Sequence, residues 1–560
     1  MRNEYALSPI RDSAYNISAM LRLVRILPAL LAAFLLFACQ TTTPTASPTS
    51  TPTGDRPTPT PKVGGELLLL GSDPPTLDPH RSSDTTSASI IVEIFSGLVT
   101  LNRQLQVVPD LAERWELGET GTTYTFRVRQ DARFHNGKSV TAYDFKWSLE
   151  RATSPGLASS SALQYLNDIQ GFQDKVSGSA DELSGVRTLG ERTLEITIDA
   201  PKSYFLSKLT HPVAFVLDRD NVEGNPNWTS APNGTGPFKL KEYVPRRQMI
   251  LERNATYTLG APYLDRVKFL LSGGSPTLMY ENDEIHVISI GTSVLERVAD
   301  PSSPLHNQLR SFPGGFSVSY IGLKVTQPPL DDVNVRQALN YAVDRERIAH
   351  NIHRDAVVVA RGVLPPGFPG YNPQLQGYTY DPDKARQLLG QSKYADGPLP
   401  DIVLTLPGDF GDPVPVDVEA VLRMWQETMG ISVQVQATSF ETFLDDLDRR
   451  RLHMFDVGWV ADYPDPENFL DHLFHSESGG NYIGYSNPEV DRLLEQARVE
   501  RDEATRFSLY QEAEALIVKD APWVFMWHPG EGHMLVKPYV HDYVPAPIVM
   551  PILRYVHMSR

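Results

Sequence analysis

The sequence contains a single cysteine, Cys39, in 560 residues. One thiol cannot form an internal disulfide framework, a zinc site built from cysteines or a CxxC redox centre. These structural and redox sites are therefore excluded from what the chain builds on its own.

The chain also lacks an excess of positive charge. Lysine and arginine together number 51, aspartate and glutamate 68, and the formal net charge is -17 at pH 7. This balance disfavours nucleic acid or an anionic membrane surface as the main partner, because both repel a negatively charged protein. It mildly favours cationic or neutral ligands, and we predict no nucleic-acid partner.

Common enzyme motifs are absent as well: the sequence has no HExxH zinc motif, no GxSxG nucleophile elbow and no nucleotide-binding loop. A glycosidase-like pair of carboxylates, Asp462 and Asp465, is the sharpest enzymatic interpretation. Asp465 precedes Pro466 and has the features of a helix N-cap, which leaves Asp462 alone. His472 and His475 lie three residues apart, but no third metal ligand is identifiable, so we interpret them as one histidine on a helix surface and one packed in the fold. We therefore predict no enzyme activity, no catalytic residue, no metal site and no cofactor, and keep a surface glycosidase or peptidase as the alternative from another class.

What the sequence does have is a segment typical of a bacterial lipoprotein signal. Two arginines precede an apolar block over residues 26–38, and the residues LFAC that end at Cys39 resemble a lipobox. We predict that residues 1–39 are a signal peptide, with Met20 as an alternative start, and that Cys39 is lipidated. An uncleaved membrane anchor is the other interpretation, although the block is shorter than the roughly 20 residues of a spanning helix.

Residues 40–62 consist almost entirely of threonine, proline, serine and alanine. Such a composition cannot bury a hydrophobic core, so we predict a disordered, extended linker between the lipid anchor and the folded part.

The rest of the chain is too long for one hydrophobic core, and its length predicts two to four compact units. Residues 332–352 carry apolar side chains at helical spacing and are predicted to form one helix. Further on, strand patterns over residues 402–406, 431–436 and 455–460 alternate with a helical pattern over residues 416–429 and another over 440–449. This β-α-β-α-β order predicts an α/β fold with a parallel sheet covered by helices.

The last of these strands leads to the candidate site. Phe455, Val457 and Trp459 recur at period two, and Asp462 follows just beyond the end of the strand. In an open α/β sheet, ligands bind in the crevice beyond the carboxyl ends of the strands. We therefore expect Asp462 to meet a cationic group of a bound solute.

From about residue 63 onward the sequence resembles the extracytoplasmic solute-binding proteins of ABC importers, in the family that binds oligopeptides, dipeptides and nickel (bacterial solute-binding protein family 5). The resemblance is carried by seven segments in the order of the family: TLDPH (76–80), PDLAERW (109–115), YTFRVRQDARFHNGKSVTAYDF (124–145), GTGPF (234–238), VRQALNYAVDRERI (335–348), YDPDKARQLL (380–389) and GWVADYPDPENF (458–469).

The resemblance implies a two-lobed fold, like that of periplasmic binding proteins, with a cleft between the lobes and an inserted subdomain. By that analogy lobe I is formed by residues 63–104, 212–316 and 530–560. The inserted subdomain spans residues 105–211 and lobe II spans residues 317–529.

The resemblance also implies roles for particular residues. Asp462 matches the aspartate that pairs with the N-terminal ammonium of a peptide, and Trp459 lies in the strand that flanks the ligand. Gly458 and Ala461 would offer backbone groups. From the other side, the residues expected to hydrogen-bond the peptide are those of the segment from Ser83 to Thr85.

The function implied is that of a lipid-anchored receptor outside the cytoplasm, in the periplasm or at the cell surface. It would capture peptides by hinge closure and deliver them to an ABC permease in the membrane, acting as a monomer. Nickel, a sugar-like solute or another cation remains the alternative ligand within the family.

Overall fold

The computed structural model describes residues 61–408 and 412–559. The predicted signal peptide, the lipidation site Cys39 and nearly all of the predicted linker lie outside these residues. Among the helices of the described residues, none is both long and apolar enough to cross a membrane.

The described residues form twenty-one strands and sixteen α-helices. In chain order the strands are β1 (Glu66–Leu70), β2 (Val99–Leu101), β3 (Val107–Pro109), β4 (Ala112–Leu117), β5 (Thr123–Val128), β6 (Val186–Thr188), β7 (Thr193–Thr197), β8 (Phe238–Val244), β9 (Gln248–Arg253), β10 (Arg266–Leu270), β11 (Val287–Ser289), β12 (Leu309–Phe312), β13 (Ser317–Leu323), β14 (Val357–Val359), β15 (Ile402–Pro407), β16 (Val433–Thr438), β17 (Met454–Val460), β18 (Trp523–Pro529), β19 (Gly532–Val536), β20 (Val540–His541) and β21 (His557–Met558). The helices are α1 (Thr85–Ile94), α2 (Ala142–Ala152), α3 (Ser160–Tyr165), α4 (Phe172–Val176), α5 (Phe205–Lys208), α6 (Arg219–Gly224), α7 (Pro276–Glu281), α8 (Thr292–Ala299), α9 (Val333–Tyr341), α10 (Arg345–Asn351), α11 (Pro382–Leu389), α12 (Val416–Met429), α13 (Phe440–Asp448), α14 (Leu470–Phe474), α15 (Pro488–Val499) and α16 (Glu503–Asp520).

Three larger sheets organise these elements. A seven-stranded sheet has the order β12-β19-β11-β1-β10-β9-β8, and a six-stranded sheet has the order β14-β18-β13-β17-β15-β16. A four-stranded antiparallel sheet, β4-β5-β7-β6, is formed by residues that lie in the sequence between β1 and β8 of the seven-stranded sheet. The predicted α/β class is confirmed, and the boundaries proposed for the lobes and the subdomain stay a prediction.

The prediction of a parallel sheet holds for only part of the six-stranded sheet. Strand β15 is parallel to both β16 and β17, with α12 and α13 connecting them, as the β-α-β-α-β order requires. Strand β13 is antiparallel to β17 and to β18, so the sheet is mixed. Hydrophobic periodicity identifies a strand but carries no information on its direction when the partner is far away in the sequence.

The single helix predicted over residues 332–352 was wrong: two helices, α9 and α10, occupy this stretch. The backbone leaves α9 at Ala342, and the side chain of Asp344 accepts a hydrogen bond from the backbone N–H of Arg347. A new helix therefore begins where an aspartate can cap it, which continuous apolar spacing does not reveal.

The hydrophobic core around the four-stranded sheet also includes a residue from the segment that follows β17. One apolar cluster surrounds the four-stranded sheet and contains Phe126, Phe145 and Leu194. Tyr463, which follows β17 by three residues in sequence, is 1% exposed and belongs to that same cluster. The chain beyond the end of β17 is thus anchored in the core of the predicted inserted subdomain.

Candidate ligand-binding site

Strand β17 ends beside the start of β13, and this pairing fixes where the candidate site begins. Ser317 pairs with Val460 and Val318 with Trp459. The backbone N–H of Ala461 then donates to the carbonyl of Phe316 over 2.8 Å. Sheet hydrogen bonding therefore continues to Ala461, and Asp462 is the first residue released from it.

The residues after Asp462 turn sharply and are held by Asp465. Its side chain accepts the backbone N–H of Glu467 at the start of a short 3₁₀ helix, Pro466–Asn468, as expected for an N-cap before proline. The guanidinium of Arg506 donates to both carboxylate oxygens of Asp465, over 2.9 and 2.5 Å. The predicted capping role is confirmed, and the carboxylate of Asp465 is fully engaged within the fold.

Asp462 has a different environment, with neutral partners only. The hydroxyl of Tyr165 donates to its Oδ2 over 2.5 Å, and the side-chain amide of Asn468 donates to the same oxygen over 3.3 Å. No lysine, arginine or histidine of the described residues forms an ion pair with it. Burial raises the pKa of Asp462 to about 6, against the opposite effect of the two hydrogen bonds. The carboxylate is thus buried without a positively charged partner among the described residues.

Asn468 orients this group. Its side-chain oxygen accepts the backbone N–H of Asp462 over 3.0 Å and the indole N–H of Trp459 over 3.3 Å. Asn468 is fully buried, so its amide has one geometry available. It therefore ties the ring of Trp459 and the carboxylate of Asp462 into one rigid unit.

Two histidines pack near the carboxylate without supplying charge. The ring of His211 stacks on Tyr165 with 3.9 Å between centroids, and His472 stacks on the same ring at 5.8 Å. Burial lowers the pKa of His211 and of His472 to about 3 in each case. Both rings are neutral at physiological pH and leave Asp462 uncompensated.

A buried network of ions lies behind the turn. The ammonium of Lys208 lies 2.9 Å from Asp168 and 3.2 Å from Glu467, and all three side chains are almost completely buried. Burial opposes the charge on Lys208, but the two carboxylates raise its pKa above the usual value. Tyr463 also donates to Glu467. These contacts join α5 to the segment that carries Asn468.

A cavity of about 130 Å³ lies beside Asp462, Tyr165 and Trp459. Its wall comes from all three predicted parts of the molecule: the start of α1, the segment from Ser161 to Tyr165 together with His211, and the elements β17 and α13. Of the residues predicted to bind ligand, the cavity is lined by Ser83, Thr85, Gly458, Trp459 and Asp462.

Ala461 is the predicted site residue that does not line this cavity. It is fully buried, and its N–H is used by Phe316. The structure adds residues that the sequence did not indicate, chiefly Tyr165, His211 and Asp448. Tyr165 is 297 positions from Asp462 along the chain, so no local pattern reveals the contact.

The pair His472 and His475 does not form part of a metal site in the described residues, where no group of three or more histidine, cysteine, aspartate or glutamate side chains is placed to hold an ion. Both histidines are buried. The sequence interpretation of one surface and one packed histidine was therefore wrong for the surface one.

The sequence and the structure both have clear relatives. Residues 106–481 match the family model described as "Bacterial extracellular solute-binding proteins, family 5 Middle". The dipeptide-binding protein DppE of Bacillus subtilis is 28% identical over 492 residues, which cover 84% of this chain and 89% of that protein. The periplasmic oligopeptide-binding protein OppA of Salmonella typhimurium is 29% identical over 489 residues, covering 84% of this chain and 88% of that protein.

Among solved structures, the murein tripeptide-binding protein MppA of Escherichia coli superposes with a TM-score of 0.78 at 25% identity. The match covers 88% of this chain and 98% of that one. The two-lobed architecture predicted from the sequence is confirmed by this likeness.

Proposed function

The chain belongs to family 5 of the bacterial extracellular solute-binding proteins, and from that membership we propose that it binds peptides between its lobes and hands them to an ABC permease. The single observation that carries the proposal is the carboxylate of Asp462, which faces a cavity with no cationic partner among the described residues. The N-terminal ammonium of a peptide is a cation of suitable size, and every unmodified peptide presents one.

The remaining residues of the wall suit the rest of a peptide. Ser83 and Thr85 line the same cavity as Gly458 and Trp459, so a ligand there would contact residues of both predicted lobes. Backbone groups recognise any peptide main chain irrespective of its side chains. Ala461 remains a proposed contact only through its carbonyl group, because its N–H is already used.

The proposed mechanism is closure of the lobes around the ligand. A ligand that touches both lobes binds the closed form more tightly, and shifts the equilibrium by that difference in affinity. Closure also removes water from the contact between the ammonium and Asp462, which strengthens a charge-assisted hydrogen bond.

Anchoring and delivery complete the proposal. Lipidation of Cys39 would attach the protein to the membrane, and residues 40–62 would serve as the tether. The relatives include periplasmic binding proteins, which supports action outside the cytoplasm.

The function is tested by replacing Asp462 with asparagine. Removing one partner of a buried charge pair costs about 2–5 kcal/mol, so Asp462→Asn should weaken the binding of free-amine peptides by at least about thirtyfold. Isothermal titration calorimetry on protein freed of ligand measures the loss.

The matched control removes a carboxylate from an exposed loop. Asp396 is exposed and lies outside the cavity, so Asp396→Asn changes net charge by the same amount. It should leave affinity unchanged. A loss of less than about threefold in Asp462→Asn would remove Asp462 from the ligand site.

A further inference from the structure

A second and larger cavity adjoins the first. Its volume is about 730 Å³, and it shares Thr85 and Val460 with the cavity that contains Asp462. Strands of the seven-stranded sheet and the C-terminal segment form most of its wall. The apolar side chains that dominate it include Leu69, Phe269, Val287, Phe312, Met534 and Ile548.

In the part of the chain that the structure describes, the wall of this cavity contains one carboxyl group, that of Glu93, and one of its oxygens is used by the fold. Glu93 is 1% exposed, and one of its oxygens accepts the backbone N–H groups of Ile552 and Leu553, each over 2.9 Å. Burial raises the pKa of Glu93 to about 7. These two hydrogen bonds hold the C-terminal segment against α1, while the other oxygen, Oε2, is buried without a hydrogen-bond partner among the described residues.

Neither cavity contains a positive group among the described residues that line it. No lysine or arginine is present in either wall, and the histidine of the first cavity, His211, is neutral. Three carboxylates do line the first cavity, those of Asp84, Asp448 and Asp462. A bound peptide therefore finds an anionic partner for its ammonium but no cationic partner for its terminal carboxylate, and burial of a charge without an opposite charge is unfavourable.

We propose that the protein selects peptides whose N-terminal ammonium lies at Asp462, whose following residues are apolar and fill the second cavity, and whose free C-terminal carboxylate contributes no affinity. This inference rests on the proposed function and names the class of peptide that the same site takes.

The first test compares short peptides by calorimetry on ligand-free protein. The probes are Ala-Leu-Val-Leu as the free acid, its C-terminal amide, its N-acetyl form and the polar peptide Ala-Ser-Asn-Ser. Each buried aliphatic side chain adds substantial transfer free energy, so the polar peptide should bind at least about tenfold more weakly. The amide should bind at least as tightly as the free acid.

A second test adds the missing cation. Ser89 is exposed on α1 and lines the second cavity, so Ser89→Lys places an ammonium at the wall without removing a buried contact. In this variant the affinity for the free acid, relative to that for the amide, should rise by at least about threefold, because a nearby opposite charge stabilises the carboxylate. Ser179→Lys, at an exposed position outside both cavities, should leave the ratio unchanged.

The outcomes separate this inference from the proposal on which it rests. If the N-acetyl peptide binds as tightly as the free amine, ammonium recognition at Asp462 is wrong. If none of the four peptides binds, the proposed function itself is wrong. If the free amine is required but the polar peptide binds equally well, the apolar selection alone is overturned. A tenfold preference of the unmodified protein for the free acid over the amide would also overturn the inference.

Discussion

The carboxylate of Asp462 is the residue on which the pH dependence of binding rests. Its pKa in the ligand-free protein is raised to about 6 by burial, and an ammonium binds the charged form. Affinity for a free-amine peptide should be highest between about pH 7 and the pKa of the peptide's own amine, about 8, and should fall as the pH decreases through 6, by up to about tenfold per unit. The sign follows because the ligand must displace a proton from the carboxylate below that pH.

Calorimetry between pH 4.5 and 7.5 checks this expectation. Asp462→Asn has no carboxylate to protonate there, so its weaker binding should vary much less over the same range. An unmodified protein whose affinity stays constant from pH 7.5 to 4.5 would show that its carboxylate does not carry the contact.

The different roles of Asp462 and Asp465 could be predicted from the sequence, because an aspartate directly before a proline is a local pattern that indicates a helix N-cap. Tyr165 and Asn468, which hold Asp462, are not distinguished in the same way. The contact to Tyr165 joins two segments brought together only by folding, and the role of Asn468 depends on its complete burial.

At the scale of elements, the turn that follows β17 is fixed from behind by Lys208 on α5. The ammonium lies between Asp168 and Glu467, and its removal would leave Glu467 buried without a cation while Lys202 still neutralises Asp168. Lys208→Met should therefore lower the free energy of unfolding by about 3–5 kcal/mol, the usual cost of breaking a buried pair. Chemical denaturation of the ligand-free protein measures the change.

Lys146 provides the comparison for Lys208. Its partners Glu150 and Glu182 are nearer the surface, and exposed pairs contribute only about 0.2–1 kcal/mol. Lys146→Met should thus have a small effect on unfolding. Equal losses in the two variants would mean that the network at α5 is no more important than a surface ion pair.

The elements themselves were predictable where their signals are local. The helices α12 and α13 and the strands β15, β16 and β17 follow from apolar spacing and from Gly430, whose left-handed backbone ends α12. The division of residues 332–352 into two helices was not predictable, because it depends on the helix cap formed by Asp344. The antiparallel direction of β13 was not predictable either, because its partner strand β17 is far away in the sequence.

At the scale of the whole molecule, the proposed site is shared by segments that are far apart in sequence. The residues that line the cavity include Ser83 and Thr85 from predicted lobe I, Tyr165 from the predicted inserted subdomain and Asp462 from predicted lobe II. A peptide seated among them links all three, so binding should make the molecule more compact. Small-angle X-ray scattering should show a smaller radius of gyration when the purified protein, freed of ligand, is saturated with Ala-Leu-Val-Leu amide.

Thermal unfolding should report the same linkage, because a ligand at 100 times its dissociation constant stabilises the native state by about 2.7 kcal/mol. Asp462→Asn at the same peptide concentration should show neither the compaction nor the full thermal shift, whereas Asp396→Asn should show both. Saturation by calorimetry with an unchanged radius of gyration would mean that the peptide binds to one lobe only. In that case the contacts across the cavity would contribute nothing to capture, and closure would have to be driven by something other than the ligand.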